Sequence, residues 1–89
     1  MSNRLENKIT VITGATSGIG EATARRFIEE GATVVLAGRS EEKGEALAKE
    51  LGERAVFKRT DIMSEDDIAA LVDFTVEKFG RLDCLFNNA

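Results

Sequence analysis

Two kinds of hydrophobic pattern alternate along the chain. Short unbroken apolar runs such as 34–37 are typical of parallel strands that are covered on both faces. Longer segments carry apolar residues every three or four positions, which predicts helices with one buried face. In chain order the pattern predicts strands at 8–13, 34–37, 55–57 and 82–86, and helices at 18–30, 41–51 and 65–79.

Polar residues and glycines mark the ends of the predicted helices. Ser40 and Ser64 stand where a side-chain oxygen can accept from the first free amides of the second and third helices. Gly31, Gly52 and Gly80 follow the last periodic positions and are expected to end the three helices. The third helix is expected to bury one apolar stripe, formed by Ile68, Leu71, Val72, Val76 and Phe79.

Strands and helices therefore alternate without a linker, a repeat or a low-complexity segment. Short connections and right-handed crossovers then predict an α/β fold with a parallel sheet, helices on both faces and strand order 3-2-1-4. This is the first half of a doubly wound fold, in one small domain over 1–89. The last strand, 82–86, is apolar and would lie at an open sheet edge. We expect it to be covered by further strands of a longer single domain, and the isolated polypeptide to be marginally folded or prone to aggregate.

The segment from Thr13 to Gly20 has the sequence T-G-A-T-S-G-I-G, between the first strand and the first helix. Amides at a helix start lack partners and favour an anion such as phosphate. Gly14 allows the turn off the strand, Gly18 leaves bare backbone for a pyrophosphate, and Gly20 allows close packing of the helix on the sheet. The hydroxyls of Thr13, Thr16 and Ser17 can donate to phosphate or tie the loop to itself. Three glycines alone could be turn residues, but strand, loop and helix follow in the order that a dinucleotide site requires.

The spacing of the glycines narrows the kind of nucleotide loop. No Gly-Lys-Ser/Thr follows, so the loop is not of the ATPase kind, and its G-x-x-x-G-x-G spacing differs from the commoner G-x-G-x-x-G. Preceded by Thr13, this variant resembles the cofactor loop of the short-chain dehydrogenase/reductase family. The resemblance implies a Rossmann-type fold and a nicotinamide cofactor, with Gly14, Thr16, Ser17, Gly18 and Ile19 as cofactor-binding residues.

The end of the second predicted strand indicates which cofactor is bound. NAD enzymes usually place an acid there for the ribose 2′-hydroxyl, whereas this chain has Gly38 followed by Arg39. A guanidinium is always charged and can hold a phosphate through two hydrogen bonds. Arg39 therefore favours NADP, with NAD as the alternative, although it could also be a solvated surface charge. Ser40 could contribute an amide or hydroxyl to the same phosphate.

The third and fourth strand ends carry further candidate contacts. Asp61 could accept from the adenine amino group and the Ile62 backbone could pair with a ring nitrogen, although an acid after a strand is also a common turn residue. Asp61-Ile62 is similar to the family's adenine-contacting pair. Asn87-Asn88-Ala89 looks like its Asn-Asn-Ala-Gly, cut one residue short. The resemblance implies that Asn88 contacts the cofactor ribose and that Asn87 braces the sheet.

Composition limits the chemistry of the chain. The net charge of -4, spread along the sequence, argues against a nucleic-acid surface. No transmembrane run or signal peptide is evident, so we expect a cytoplasmic protein without a membrane partner. Cys84 is the only cysteine, which excludes an internal disulfide and argues against a cysteine-based metal site. In its apolar run we expect it to be a small buried hydrophobe rather than a nucleophile.

The chain has no histidine and no tyrosine, hence no candidate catalytic residue of the usual kinds. In the family, a later Asn, a Ser and a Tyr-x-x-x-Lys supply the acid and base. The leading hypothesis is the cofactor-binding part of an NADP-dependent oxidoreductase that interconverts a small-molecule alcohol and a carbonyl, in a full-length protein expected to form a homo-oligomer. A non-catalytic nucleotide-binding or interaction module is the alternative. A methyltransferase-like domain fits less well, because it would want an acid in place of Gly38-Arg39.

Overall fold

A computed structural model describes residues 5–88, which form one parallel sheet with three helices. The strands follow the order β3-β2-β1-β4, and each neighbouring pair is parallel. The fold class and strand order predicted from the sequence are thus confirmed. The elements in chain order are β1 (Ile9–Thr13), α1 (Gly18–Glu29), β2 (Thr33–Gly38), α2 (Glu41–Leu51), β3 (Ala55–Arg59), α3 (Glu65–Phe79) and β4 (Cys84–Asn87).

The two central strands, β1 and β2, separate two apolar layers. Alternate residues point to opposite faces of a strand, so Val11 and Val35 pack with Leu71 of α3 while Ile12 and Leu36 pack on the α1 and α2 side. All five side chains are almost fully excluded from solvent. Burial on both faces explains why these strands read as unbroken apolar runs.

Each helix begins at a serine whose hydroxyl accepts from the amide three residues later. Ser17 Oγ accepts from Gly20 at 3.2 Å, Ser40 Oγ from Lys43 at 3.4 Å and Ser64 Oγ from Asp67 at 3.2 Å. Glycines with positive φ follow each helix, as predicted: Gly31, Gly52 and Gly80. None of the helices described is long and apolar enough to span a membrane.

The expectation that Cys84 is buried is wrong. Cys84 is exposed, as are the other residues of β4, because β4 pairs only with β1 and the described residues leave its outer edge and much of its faces uncovered. The strand also begins two residues later than predicted. Leu82 precedes it and packs, partly buried, against the Val11 and Val35 layer.

The stripe predicted for α3 is buried only in part. Leu71 is buried, whereas Ile68 is 39% and Val76 44% exposed. Thr75 is fully buried in their stead, and its hydroxyl donates to the Leu71 carbonyl at 2.9 Å, which satisfies the polar group inside the core. The apolar residues of α3 therefore extend around the helix beyond the face that contacts the sheet.

Candidate cofactor site

The carboxyl ends of the parallel strands meet at one edge of the sheet, where the loops after β1, β2 and β3 enclose a cleft of about 300 Å³. Four of the predicted site residues line it: Gly14, Thr16, Arg39 and Ile62. Three further residues complete the lining, namely Gly38, Ser40 and Thr60. The other five predicted residues are not part of this wall, and two of them, Gly18 and Ile19, line a separate surface pocket with Arg26 and Phe27.

The glycine loop is shaped by two close approaches of backbone to backbone. Gly14 has φ +62°, and a Cβ there would lie 2.2 Å from the Asn88 carbonyl oxygen. A Cβ on Gly20 would lie 2.1 Å from the Gly14 carbonyl oxygen and 2.9 Å from Ala15 Cα. Gly20 thus brings α1 against the loop itself, directly after β1. A side chain at either position would displace the backbone of the loop.

The start of α1 presents unpartnered backbone to solvent. Gly18 is exposed, and apart from its chain neighbours and the backbone of its own helix, no described atom lies within 4 Å of the place where its Cβ would be. Within residues 5–88, the amides of Gly18 and Ile19 have no acceptor, as expected for the first positions of a helix. Together with the helix dipole, these amides form a site suited to a phosphate group.

Ser17 and Asn88 hold the loop in this shape. The Ser17 hydroxyl donates to the Gly14 carbonyl at 2.8 Å and accepts from Asn88 Nδ2 at 2.8 Å. Asn88 Nδ2 also donates to the Gly14 carbonyl at 3.3 Å. The proton of Ser17 and both amide protons of Asn88 are therefore engaged within the protein, so Ser17 ties the loop to itself.

β4 is linked to the same loop through Thr13. The Thr13 hydroxyl donates to Asn87 Oδ1 at 2.8 Å and accepts from the Asn88 amide at 3.0 Å. Asn87 thus braces the end of the sheet, the role that the resemblance implied for it. Ala89, the last residue of the predicted motif, lies outside the described residues.

The end of β2 forms the side of the cleft opposite the glycine loop. Gly38 is buried, and a Cβ built there would meet only Thr16, at 3.7 Å from Oγ1 and 3.9 Å from Cγ2. Arg39 is exposed and forms no salt bridge with any residue of the described chain. The cleft is therefore bordered by a permanent positive charge whose hydrogen-bond donors are available.

Asp61, which the sequence left open as an adenine contact or a turn residue, lies in the turn after β3. Asp61 Oδ1 accepts from the Met63 amide at 2.9 Å, the arrangement of a turn-forming acid. Its other carboxylate oxygen has no partner within residues 5–88. Its two chain neighbours, Thr60 and Ile62, line the cleft, whereas Asp61 itself is not part of the wall.

Two residues of this region were missed in the sequence. Thr60 is fully buried, lines the cleft and donates from its hydroxyl to the Lys58 carbonyl at 3.0 Å. Asp67 accepts from the Asp61 amide through Oδ2 at 2.8 Å. Its position three residues after Ser64 was a usable signal, because acids there often return to backbone amides before the helix.

A parallel sheet of this order, with a glycine turn after its first strand and a cleft across the strand ends, defines a doubly wound, Rossmann-type domain. The family model for short chain dehydrogenases matches residues 8–89. The chain belongs to the short-chain dehydrogenase/reductase family.

Individual relatives support this assignment. The chain is 52% identical over 86 residues to tropinone reductase-like 1 of Erythroxylum coca, and 49% identical over 86 residues to L-fucose dehydrogenase of Oryctolagus cuniculus. Each alignment covers 97% of this chain but only 32% and 30% of those proteins. A crystal structure of 3-ketoacyl-(acyl-carrier-protein) reductase from Brucella melitensis, complexed with NADH, matches with TM-score 0.88 and 43% identity over 91% of this chain and 33% of that one. The chain thus spans about a third of the length of these proteins.

Proposed function

We propose that the chain is the cofactor-binding part of an NADP-dependent oxidoreductase that interconverts a small-molecule alcohol and a carbonyl by hydride transfer. In this proposal the first turn of α1 and the glycine loop bind the pyrophosphate, the β2 end binds the 2′-phosphate, and the later strand ends bind adenine and ribose. The residues assigned to these contacts are Gly14, Thr16, Ser17, Gly18, Ile19, Arg39, Asp61, Ile62 and Asn88.

The observation that carries the preference for NADP is the end of β2. Among residues 5–88, no carboxylate lies in the wall of the cleft, and Arg39 lines it without a salt bridge to any of them. An acid in place of Gly38 would accept from a 2′-hydroxyl and repel a 2′-phosphate, whereas a guanidinium attracts the phosphate. The related reductase from Brucella melitensis was crystallised with NADH, which supports a nicotinamide cofactor in general.

The hydrogen bonds within the loop refine the individual roles. Because the Ser17 proton and both Asn88 amide protons are engaged, the pyrophosphate is assigned to the Gly18 and Ile19 amides, with Ser17 holding the loop. Asn88 Oδ1 accepts from no donor in residues 5–88, so it is assigned to a ribose hydroxyl. The hydroxyl of Thr16, between the two sides of the cleft, is available to either phosphate.

When bound, the nicotinamide supplies or accepts the hydride, and this chain's residues bind and orient it. None of the described residues is assigned as an acid or base, since the 89 residues contain neither histidine nor tyrosine. A nucleotide-binding module without catalysis is the alternative. Turnover of alcohols and ketones by the full-length gene product separates the two candidates. Cytoplasmic location, homo-oligomer formation and the lack of nucleic-acid, membrane and metal partners stay predictions.

Titration of the full-length gene product with NADPH, NADH and S-adenosylmethionine tests the proposal. We expect the Arg39→Asp variant to raise the Kd for NADPH by at least about tenfold and to leave the Kd for NADH nearly unchanged, because it removes charge-assisted hydrogen bonds to the 2′-phosphate only. Lys49→Asp makes the same charge change on an exposed residue in the last turn of α2 and serves as the control. If Arg39→Asp raises the Kd equally for both dinucleotides, the assignment of the 2′-phosphate to Arg39 is wrong. If the protein binds S-adenosylmethionine but neither dinucleotide, the proposed function is wrong.

A further inference from the structure

A carboxylate of α3 holds the turn that precedes this helix. Asp67, in the first turn of α3, accepts from the Asp61 amide at 2.8 Å, while its own amide donates to Ser64 Oγ at 3.2 Å. In the usual capping box, an acid at this helical position returns to the amide of the capping residue. Here the Ser64 amide is already bonded to the Asp61 carbonyl at 2.9 Å. Asp67 therefore reaches three residues further back and fixes the backbone at Asp61 from the amide side.

The same turn fixes the groups that face the cleft. The Asp61 side chain is anchored through Oδ1 to the Met63 amide, which leaves Oδ2 as its available acceptor. Ile62, between the two anchored residues, lines the cleft. The backbone amide of Asp61 is thus held by Asp67, its carbonyl by Ser64 and its carboxylate by Met63. Three separate hydrogen bonds thus set the orientation of this one residue.

We infer that Asp67 is a positioning residue for the adenine end of the cofactor. It sets the backbone so that Asp61 Oδ2 faces the adenine amino group and the Ile62 amide faces a ring nitrogen. Asp67 itself touches no part of the nucleotide. The inference rests on the proposed function, because it takes the cleft beside Ile62 as the adenine site.

The test compares variants that lose the same charge. Asp67→Ala removes the acceptor for the Asp61 amide, whereas Asp66→Ala removes a neighbouring carboxylate that makes no hydrogen bond within residues 5–88. Both acids lie in the first turn of α3, so both changes remove a similar interaction with the helix dipole. Asp67→Asn keeps an acceptor of the same shape without the charge, and it provides a milder change should the alanine variant fail to fold.

The ligands are NADPH and its hypoxanthine analogue. Hypoxanthine carries an oxygen in place of the 6-amino group and a proton on N1, the neighbouring ring nitrogen that the Ile62 amide would face. It can therefore make neither of the two proposed contacts. We expect Asp67→Ala to raise the Kd for NADPH by about tenfold, the size of a hydrogen bond to a charged group, and to leave the Kd for the analogue unchanged. The Kd of Asp67→Asn for NADPH should lie between those of wild type and Asp67→Ala. The Kd values of Asp66→Ala should match those of wild type for both ligands.

The outcomes separate the inference from the proposed function. If wild type binds neither ligand, the proposed function fails. If wild type binds both equally, the adenine contacts of Asp61 and Ile62 fail, and the inference fails with them. If wild type prefers NADPH but the Asp67 variants shift both dissociation constants equally, or shift neither, the inference alone is overturned. A selective loss for NADPH supports a positioning role, because general destabilisation of the fold would weaken both ligands.

Discussion

Replacing Gly38 by aspartate places a carboxylate in the wall of the cleft, beside Arg39. The substitution fits sterically, since the new Cβ meets only Thr16 at 3.7 and 3.9 Å, which is ordinary van der Waals contact. Gly38 is also absent from the glycines with positive φ, so a side chain causes no backbone strain there. The change therefore tests electrostatics at the β2 end without a clash at the Cβ position or backbone strain.

The expected effect follows from the distance between the charges. A carboxylate at position 38 would repel a 2′-phosphate held by Arg39, and two unit charges about 6 Å apart repel by about 3 kcal/mol at an effective dielectric constant of ~20. This corresponds to roughly a hundredfold weaker binding of NADPH. For NADH the same carboxylate can accept from the 2′-hydroxyl, which strengthens binding by about tenfold. The preference between the two cofactors should thus reverse.

The assay is a pair of binding titrations on the full-length gene product, with Gly38→Asn as the matched control. Asparagine has the shape of aspartate without its charge, so it should leave the NADPH affinity close to that of wild type. Ionic strength gives a second check, because added salt should reduce the difference between the aspartate and asparagine variants. If both variants weaken NADPH equally, the effect is steric and the assignment of the 2′-phosphate to this end of β2 is refuted.

Two further predictions concern stability. Gly44→Ala should lower the free energy of unfolding by about 1–3 kcal/mol in denaturant titrations, because the new Cβ would lie 2.1 Å from ring atoms of Phe57. The penalty should shrink in a Phe57→Leu background, and an equal penalty in both backgrounds would contradict the packing argument. The Ile9 amide and the Arg81 guanidinium lower the pKa of Asp83 below its ordinary value. The ionised Asp83 therefore stabilises the fold at pH values above that ordinary value, and this contribution is lost as the pH falls through the lowered pKa. The difference in the free energy of unfolding between wild type and Asp83→Asn should be constant near neutral pH and should disappear only below about pH 4. A difference that disappears near neutral pH would contradict the role of the carboxylate.

The sequence was most informative where local rules and burial agree. The central strands, the serine caps and the glycines at the helix ends follow from patterns within a few residues. An unbroken apolar run such as 34–37 predicts a strand that is buried on both faces, as the structure has it. The exposure of Cys84 and the burial of Thr75 could not be read in this way. Both depend on which sheet face a helix covers and on what lies beside the last strand, which are long-range properties.

Within the site, the residue types were predictable but their bonding was not. Ser17 was open to donating to a phosphate or to the loop; in the structure it donates to the Gly14 carbonyl, while its oxygen accepts from Asn88, which lies 71 positions away in sequence. Asp61 was open to an adenine contact or a turn, and the structure uses one carboxylate oxygen for the turn while the other stays available. The alternatives weighed from the sequence are therefore compatible for Asp61, because a carboxylate has two oxygens.

The glycine loop is tied to β4, the strand that the described residues leave exposed. Thr13, Ser17 and Gly14 are all bonded to Asn87 or Asn88 at the end of β4, whose four residues are exposed. Detachment of β4 would break these bonds to Asn87 and Asn88 but leave the direct hydrogen bonds of Ser17 to the Gly14 carbonyl, so the loop would lose its attachment to the sheet edge. A dinucleotide that binds only the ordered loop must in turn stabilise the attachment of β4. Under the proposed function, cofactor affinity is therefore coupled to the stability of the β4 attachment. Changes that cover or uncover β4 should alter the affinity even though they do not contact the ligand.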